Sequence, residues 1–129
     1  MKKLILIFLI PLLINCQSKL KVPNRLEGVE MQYKYENGVE FAIRYESEGV
    51  FYQYKNGKSP DKWWGPFKYK YLLTDQGEHF LSWFEPGYGD HVTQLINLDD
   101  MTLYGSAIIG EKHNVLFHKA KIFRLELPG

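Results

Sequence analysis

The chain has 129 residues and a formal net charge of +1, with 16 basic and 15 acidic side chains. This length suits one folded domain, and the absence of a basic block removes electrostatic support for nucleic-acid binding. Aromatic residues make up 16% of the chain, which favours a β-rich core or an aromatic-lined pocket. The one cysteine, Cys16, cannot form a disulfide within the chain, and a lipidated Cys16 would leave no thiol for catalysis or zinc binding.

The N-terminal segment has the pattern of an export signal. Lys2 and Lys3 precede an apolar run over residues 4–14, which is shorter than the roughly 20 residues of a membrane-spanning helix. The sequence Leu13-Ile14-Asn15-Cys16 resembles a bacterial lipoprotein signal, in which the cysteine is lipidated and becomes the first mature residue. An ordinary signal peptide or an uncleaved anchor is the alternative, and either would place the remaining chain outside the cytoplasm near a membrane.

This interpretation divides the chain into three parts. We predict a signal peptide over residues 1–15, a lipidated Cys16 with a polar tether to residue 25, and a β-barrel domain over residues 26–129. The expected location is the bacterial cell envelope, on the periplasmic side or at the cell surface, with the lipid as the membrane contact.

Beyond the tether, short strands alternate with turns. Val29, Met31, Tyr33 and Tyr35 alternate with polar residues at the period of a half-buried strand. Asn37-Gly38 then favours a hairpin, because both central positions of the common two-residue turn require positive φ. A longer loop is predicted over residues 58–66. The eight predicted strands span residues 29–36, 39–46, 50–55, 67–73, 79–84, 91–98, 101–109 and 115–127.

The short connections between these strands predict the architecture. Hairpin-length turns favour an all-β fold with a single antiparallel, eight-stranded, up-and-down barrel, and a sandwich is the main rival. Closure of the sheet removes its exposed edges and leaves room inside for one small ligand.

Two phenols are predicted to point into the barrel. Tyr33 and Tyr35 share the face of Val29 and Met31, because side chains two residues apart in a strand lie on one side. A buried phenol needs a hydrogen-bond partner, which is a backbone carbonyl in a packed core and can be a ligand in a hollow barrel.

Glu85 is the second candidate, and its environment depends on where its strand ends. It follows Leu81 and Trp83 on the same face if the strand continues, and desolvation would then raise its pKa and make it a plausible proton donor. Pro86 supports the alternative, in which the strand ends at Phe84 and Glu85 is a solvated loop residue.

Three blocks of the chain resemble the bacterial phenolic acid decarboxylases. They are the segments 33–38 (Tyr-Lys-Tyr-Glu-Asn-Gly), Lys62-Trp63 and 81–92 (beginning Leu-Ser-Trp-Phe-Glu-Pro-Gly), and the strand at 97–109 is also similar. That family shares a calycin (lipocalin-like) barrel with the MoaF-like proteins, and the resemblance covers residues 26–109. It implies that Tyr33 and Tyr35 bind the substrate, that Glu85 donates a proton, and that no metal or organic cofactor takes part.

The resemblance also implies a basic residue at the substrate. The arginine of the family falls at about Lys62 in this sequence, and lysine keeps the charge but loses the bidentate grip on a carboxylate.

The sequence thus predicts a barrel that binds a small apolar or aromatic ligand. Tyr33, Tyr35 and Glu85 are the expected polar contacts, and the expected apolar wall consists of Tyr52, Tyr69 and Trp83. The alternatives are a decarboxylating lyase for phenolic or related unsaturated acids, and a structural lipoprotein with a filled barrel. The four histidines lack the spacing of a metal site, so no metal is expected.

Overall fold

The computed structural model describes residues 22–129, so the predicted signal peptide, Cys16 and the tether up to residue 21 lie outside the described residues. This part of the chain forms nine β-strands and one 3-10 turn at Gly110–Lys112. No helix in residues 22–129 has the length and apolar character needed to cross a membrane. The strands are β1 (Glu30–Tyr35), β2 (Glu40–Glu46), β3 (Gly49–Tyr54), β4 (Trp64–Phe67), β5 (Tyr69–Leu73), β6 (His79–Glu85), β7 (Asp90–Asn97), β8 (Thr102–Ile109) and β9 (Asn114–Glu126).

The strands form one antiparallel sheet in up-and-down order. The order across the sheet is β4-β3-β2-β1-β9-β8-β7-β6-β5, so β1 pairs with β9 and all other pairs are consecutive in the chain. The two outer strands, β4 and β5, are separated in sequence by Lys68 alone, so the chain passes directly from one edge of the sheet to the other. The result is a nearly closed barrel, which confirms the predicted all-β, antiparallel, up-and-down class.

The strand count differs from the prediction. The structure has nine strands rather than eight, because Trp64–Phe67 pairs with β3 although most of this segment was predicted as loop. Pro66 lies in this short outer strand, where the missing N–H removes no bond of a central ladder. The pairing is irregular, with a register shift between Val50 and Tyr52.

One end of the barrel is packed with apolar side chains. Ile43, Val50 and Leu103 each have no exposed surface there, and Leu26 from the segment before β1 is 1% exposed. Val22 also packs against this core, so the chain enters the barrel at the packed end. The core residues at this end are Leu26, Val29, Ile43, Tyr45, Val50, Phe67, Leu81, Ile96, Leu98, Leu103 and Ile122.

A buried polar network lies between the packed end and the other half of the barrel. The Tyr45 hydroxyl donates to Gln94 Oε1 at 2.7 Å, and Gln94 Nε2 donates to the Tyr33 hydroxyl at 3.2 Å. All three side chains are buried, so this network satisfies polar atoms that would otherwise be costly in the interior. Tyr33 forms the boundary at which close packing gives way to open space.

Candidate functional site

The half of the barrel beyond Tyr33 contains a cavity of about 570 Å³. Its mouth lies at the end of the barrel that holds the turns after β1, β3, β6 and β8, opposite the entry of the chain. The surfaces that line it are mostly apolar, and side chains from both halves of the sheet contribute. The described lining residues are Tyr33, Tyr35, Asn37, Val39, Phe41, Ile43, Tyr52, Tyr54, Trp64, Trp83, Glu85, Tyr88, Asp90, Val92, Gly105, Ala107, Ile109, Leu116 and His118.

Tyr33 and Tyr35 both reach the cavity, as their shared strand face predicts. Their rings meet edge to face with centroids 5.5 Å apart. Tyr33 is 3% exposed, and its hydroxyl is bonded to a side-chain amide, that of Gln94, rather than to a backbone carbonyl. Burial raises the pKa of Tyr35 to about 12 and that of Tyr33 well above its usual value, so both phenols stay neutral at physiological pH.

Gly105 on β8 provides the space for the Tyr35 phenol. A Cβ atom at this glycine would overlap the Tyr35 hydroxyl oxygen and would lie 3.1 Å from Cζ of the same ring. The absence of a side chain at Gly105 therefore allows the Tyr35 ring to extend across the cavity as far as β8.

Glu85 is the most deeply buried charged group at the site. Strand β6 continues through this residue, which pairs with Asp90 on β7, so the side chain faces inward and is 2% exposed. Its carboxylate accepts hydrogen bonds from the Tyr52 hydroxyl at 2.7 Å and from Trp83 Nε1 at 3.1 Å. The alternative of a solvated loop residue after Phe84 is therefore wrong.

The environment of Glu85 raises the pKa of its carboxyl group. Desolvation is the largest effect on its pKa and raises it, and the nearby charge of Asp90 raises it further. The hydrogen bonds from Tyr52 and Trp83 stabilise the carboxylate and act in the opposite direction, but the net shift is upward. Such a group can change its protonation state when a ligand alters the charge around it.

The Tyr52–Glu85 bond also joins two parts of the sheet. Tyr52 lies on β3 and Glu85 on β6. Between these two strands lie only β4 and β5, the edge strands of the sheet, which are not paired with each other. Burial and the adjacent Glu85 raise the pKa of Tyr52, which keeps its proton available for this contact.

Two of the predicted site residues lie elsewhere. Lys62 is exposed, and its ammonium stacks on the Trp64 ring at 3.7 Å from the centroid rather than lining the cavity. The Tyr69 ring packs edge to face against Tyr45, with centroids 6.2 Å apart, at the packed end. The structure therefore brings Tyr33, Tyr35, Tyr52, Trp83 and Glu85 together and leaves Lys62 and Tyr69 outside this group.

Several lining residues were not singled out by the sequence. Phe41 and Tyr54 could have been found, because they are in phase with Ile43 and Tyr52 on their strands. Tyr88 lies in an irregular turn with no periodicity, and nothing in the sequence brings it to Trp64, whose ring centroid is 5.8 Å away. Asp90 and His118 face the cavity through strand pairings that no local pattern reveals.

The described side chains offer no arrangement for a metal ion. Within residues 22–129 no group of three or more His, Cys, Asp or Glu residues is placed to bind one. The acids and the imidazole at the cavity are Glu85, Asp90 and His118, and these side chains can form hydrogen bonds with a ligand.

The fold is similar to that of a solved protein structure. No protein-family model and no curated protein matches the chain. A crystal structure from Burkholderia vietnamiensis, which bears a provisional beta-lactamase assignment, aligns with a TM-score of 0.64 at 14% sequence identity. The alignment covers 78% of this chain and 93% of that chain. At this identity the likeness concerns the fold alone, and it agrees with the barrel described above.

Proposed function

We propose that this protein binds one small, largely apolar or aromatic molecule inside its barrel. The observation that carries the proposal is the cavity of about 570 Å³, which is within the size range of small-molecule sites. A filled barrel would leave no such space, so the cavity favours a binding or catalytic role over a purely structural one.

The chemistry of the lining supports the same ligand class. Aromatic rings from several strands surround the space, and Glu85 with its partner Tyr52 forms a polar group at one side. Specific sites commonly combine an apolar wall, which supplies most of the affinity, with a few polar groups that fix orientation.

We further propose that the barrel is a calycin-like domain held at a bacterial membrane by lipid on Cys16. The support is the sequence of Lys2 and Lys3, the apolar run at 4–14 and the cysteine at its end. A single acyl chain gives weak, reversible anchoring, so stable attachment requires two or more acyl chains such as palmitate. Metabolic labelling with a fatty acid should mark the wild-type chain and not Cys16→Ser, and labelling of that variant would refute the site.

The binding proposal is tested by filling the cavity from one strand. Ala107 on β8 faces the cavity, while its neighbour Ser106 lies on the outer face of the same strand. Ala107→Trp should therefore occupy the space, and Ser106→Trp is the matched control because it adds the same side chain on the opposite side. The binding of 4-phenylbutanol is measured by calorimetry on the full chain in phosphatidylcholine nanodiscs, with empty nanodiscs as the reference.

The expected result is that Ala107→Trp loses binding while Ser106→Trp retains it within about twofold. Equal binding by both variants would place the ligand outside the cavity. Absence of binding of this alcohol and of its charged analogues by the wild-type chain would refute the function.

A decarboxylating lyase is the second candidate, and one observation favours it. Glu85 is buried in the cavity with a raised pKa, which suits a proton donor, and Tyr33 and Tyr35 lie in the same space. In this reaction Glu85 would give its proton to the carbon that bears the carboxylate, and the 4-hydroxyphenyl ring would delocalise the charge left on the neighbouring carbon. The C–CO₂ bond would then break, its electron pair would restore the double bond as CO₂ leaves, and no cofactor is needed. Lys62 lies outside the cavity lining, so the basic group implied by the resemblance is not supplied there.

The lyase candidate is tested by the absorbance of 4-hydroxycinnamate. Decarboxylation removes the conjugated acid and changes its absorption band, with release of CO₂. Glu85→Gln should abolish turnover if Glu85 is the donor, and Glu78→Gln in the turn before β6 is the control. An unchanged spectrum with the wild-type chain at high concentration would exclude this activity for that substrate.

A further inference from the structure

The charged side chains that line the cavity are mainly acidic. The lining contains two carboxylates, Glu85 and Asp90, and one imidazole, His118, and among the described lining residues there is no lysine or arginine. The same lining contains eight aromatic rings. These rings belong to Tyr33, Tyr35, Phe41, Tyr52, Tyr54, Trp64, Trp83 and Tyr88.

Two basic side chains outside the cavity lining lie on aromatic rings. The Lys62 ammonium lies on the Trp64 ring at 3.7 Å, beside the cavity rather than in its lining. The Arg44 guanidinium lies between the rings of Phe51 and Trp63, at 4.5 and 4.6 Å from their centroids. Among the described residues no salt bridge joins Glu85 or Asp90 to a basic side chain, and the Lys62 contact shows that the ring of Trp64, a lining residue, already accepts an ammonium group.

Aromatic faces and buried carboxylates both favour a positively charged ligand. The face of a tyrosine or tryptophan ring is electron-rich and attracts an organic cation, most strongly where water is excluded. Glu85 is 2% exposed, so its charge is little screened by solvent and would interact strongly with a nearby ammonium. The positive charge would also offset the repulsion from Asp90 that raises the pKa of Glu85.

A carboxylate ligand would be disfavoured in this cavity. Its charge would lie in an apolar space beside two acidic side chains, with no described lysine or arginine in the lining to pair with it. Burial of an unpaired charge is strongly unfavourable, and like charges nearby increase the cost.

We propose that the ligand of this cavity is an organic amine, with its ammonium group between Glu85 and the surrounding aromatic rings and its apolar body deeper in the barrel. The inference rests on the proposed function and specifies its ligand class. It distinguishes the binding role from the lyase candidate, whose substrate is an anion.

Three probes of matched shape test the inference. They are 4-phenylbutylamine, 4-phenylbutanol and 4-phenylbutanoate, which share a phenyl ring and an alkyl chain and differ in the charge of the end group. Calorimetry on the full chain in phosphatidylcholine nanodiscs, corrected with empty nanodiscs, gives each affinity at pH 7. The amine should bind at least about tenfold more tightly than the alcohol, and the carboxylate more weakly than both.

Variants that remove a carboxylate test whether Glu85 and Asp90 cause the preference for the amine. Glu85→Gln should reduce the amine-to-alcohol affinity ratio by about tenfold while the alcohol affinity changes by less than about twofold. Asp75→Asn is the control, because Asp75 is an exposed carboxylate in the turn between β5 and β6, at the packed end. Asp90→Asn is the second charge variant if Glu85→Gln does not fold, since an asparagine Oδ1 can still accept the Gly110 N–H bond that Asp90 accepts at 2.8 Å.

Each outcome separates the inference from the proposed function. Binding of the alcohol without preference for the amine, or tighter binding of the carboxylate, overturns the amine inference and leaves the binding cavity intact. A preference for the amine that survives both Glu85→Gln and Asp90→Asn also overturns it, because the selectivity would then arise elsewhere. No binding of any of the three probes refutes the proposed function itself.

Discussion

The contact between Gly105 and Tyr35 allows a quantitative test of how the cavity is built. In Gly105→Ala the new methyl group would overlap the Tyr35 hydroxyl oxygen, with the ring atoms Cζ and Cε1 at 3.1 and 3.2 Å. The hydroxyl is the far end of a flexible side chain that borders open space, so the ring can move, but only away from its preferred position. Overpacking of this kind costs roughly 1–3 kcal/mol.

An opposing effect reduces the expected net change. Alanine has less conformational freedom than glycine in the unfolded chain, which stabilises an extended strand by roughly 0.5–1 kcal/mol. Gly105 carries no positive φ, so alanine fits its backbone conformation. We therefore expect Gly105→Ala to lower the free energy of unfolding by up to roughly 2.5 kcal/mol, the largest difference between these two effects.

The assay is a double-mutant cycle with Tyr35→Phe, measured by urea unfolding followed through tryptophan fluorescence. Removal of the hydroxyl leaves Cζ at 3.1 Å as the nearest ring atom, so Gly105→Ala should cost clearly less in the Tyr35→Phe background than in the wild-type chain. The expected coupling energy is about 1 kcal/mol or more. An equal cost of Gly105→Ala in both backgrounds would refute the reasoning, because the cost would then not arise from the hydroxyl.

Two further predictions concern buried polar groups outside the cavity lining. His79 has no exposed surface, and burial lowers its pKa. The unfolded chain therefore binds a proton that the folded chain does not, and the free energy of unfolding should fall as the pH drops below about 6.5. Urea unfolding measured between about pH 7.5 and about pH 5 should show a smaller decrease for His79→Gln than for the wild-type chain, and an unchanged slope would contradict this prediction. Tyr45→Phe leaves Gln94 Oε1 without the hydroxyl that donates at 2.7 Å and should cost about 1–3 kcal/mol, while probe affinity is retained. A negligible loss of stability in that variant would mean that water replaces the hydroxyl.

Strand alternation predicts much of this fold because several strands, β1 and β6 among them, have one buried and one more exposed face. In β1, Met31 and Tyr33 are buried while Lys34 is exposed, as the period of two requires. The segment of β4 was not predicted, because Trp64–Phe67 contains glycine and proline and has no alternating pattern.

In the candidate site, too, some residues follow from the local sequence pattern and others depend on how the strands pair. The shared face of Tyr33 and Tyr35 follows from their spacing, whereas the placement of Glu85 depends on how far β6 extends past Phe84. Local rules favour an end of the strand before Pro86, but the pairing of Glu85 with Asp90 continues the ladder by one residue. That single residue decides whether the carboxylate faces solvent or the interior.

The position of the chain entry has a consequence for the route that a ligand takes. Val22 and Leu26 pack at the closed end of the barrel, and the cavity opens at the other end. If Cys16 carries the proposed lipid, the anchor would be only six residues before Val22, a reach of about 20 Å when fully extended. Such a short tether would favour a barrel whose packed end faces the bilayer and whose mouth faces away from it, so a ligand would arrive from the aqueous compartment rather than by lateral transfer out of the lipid.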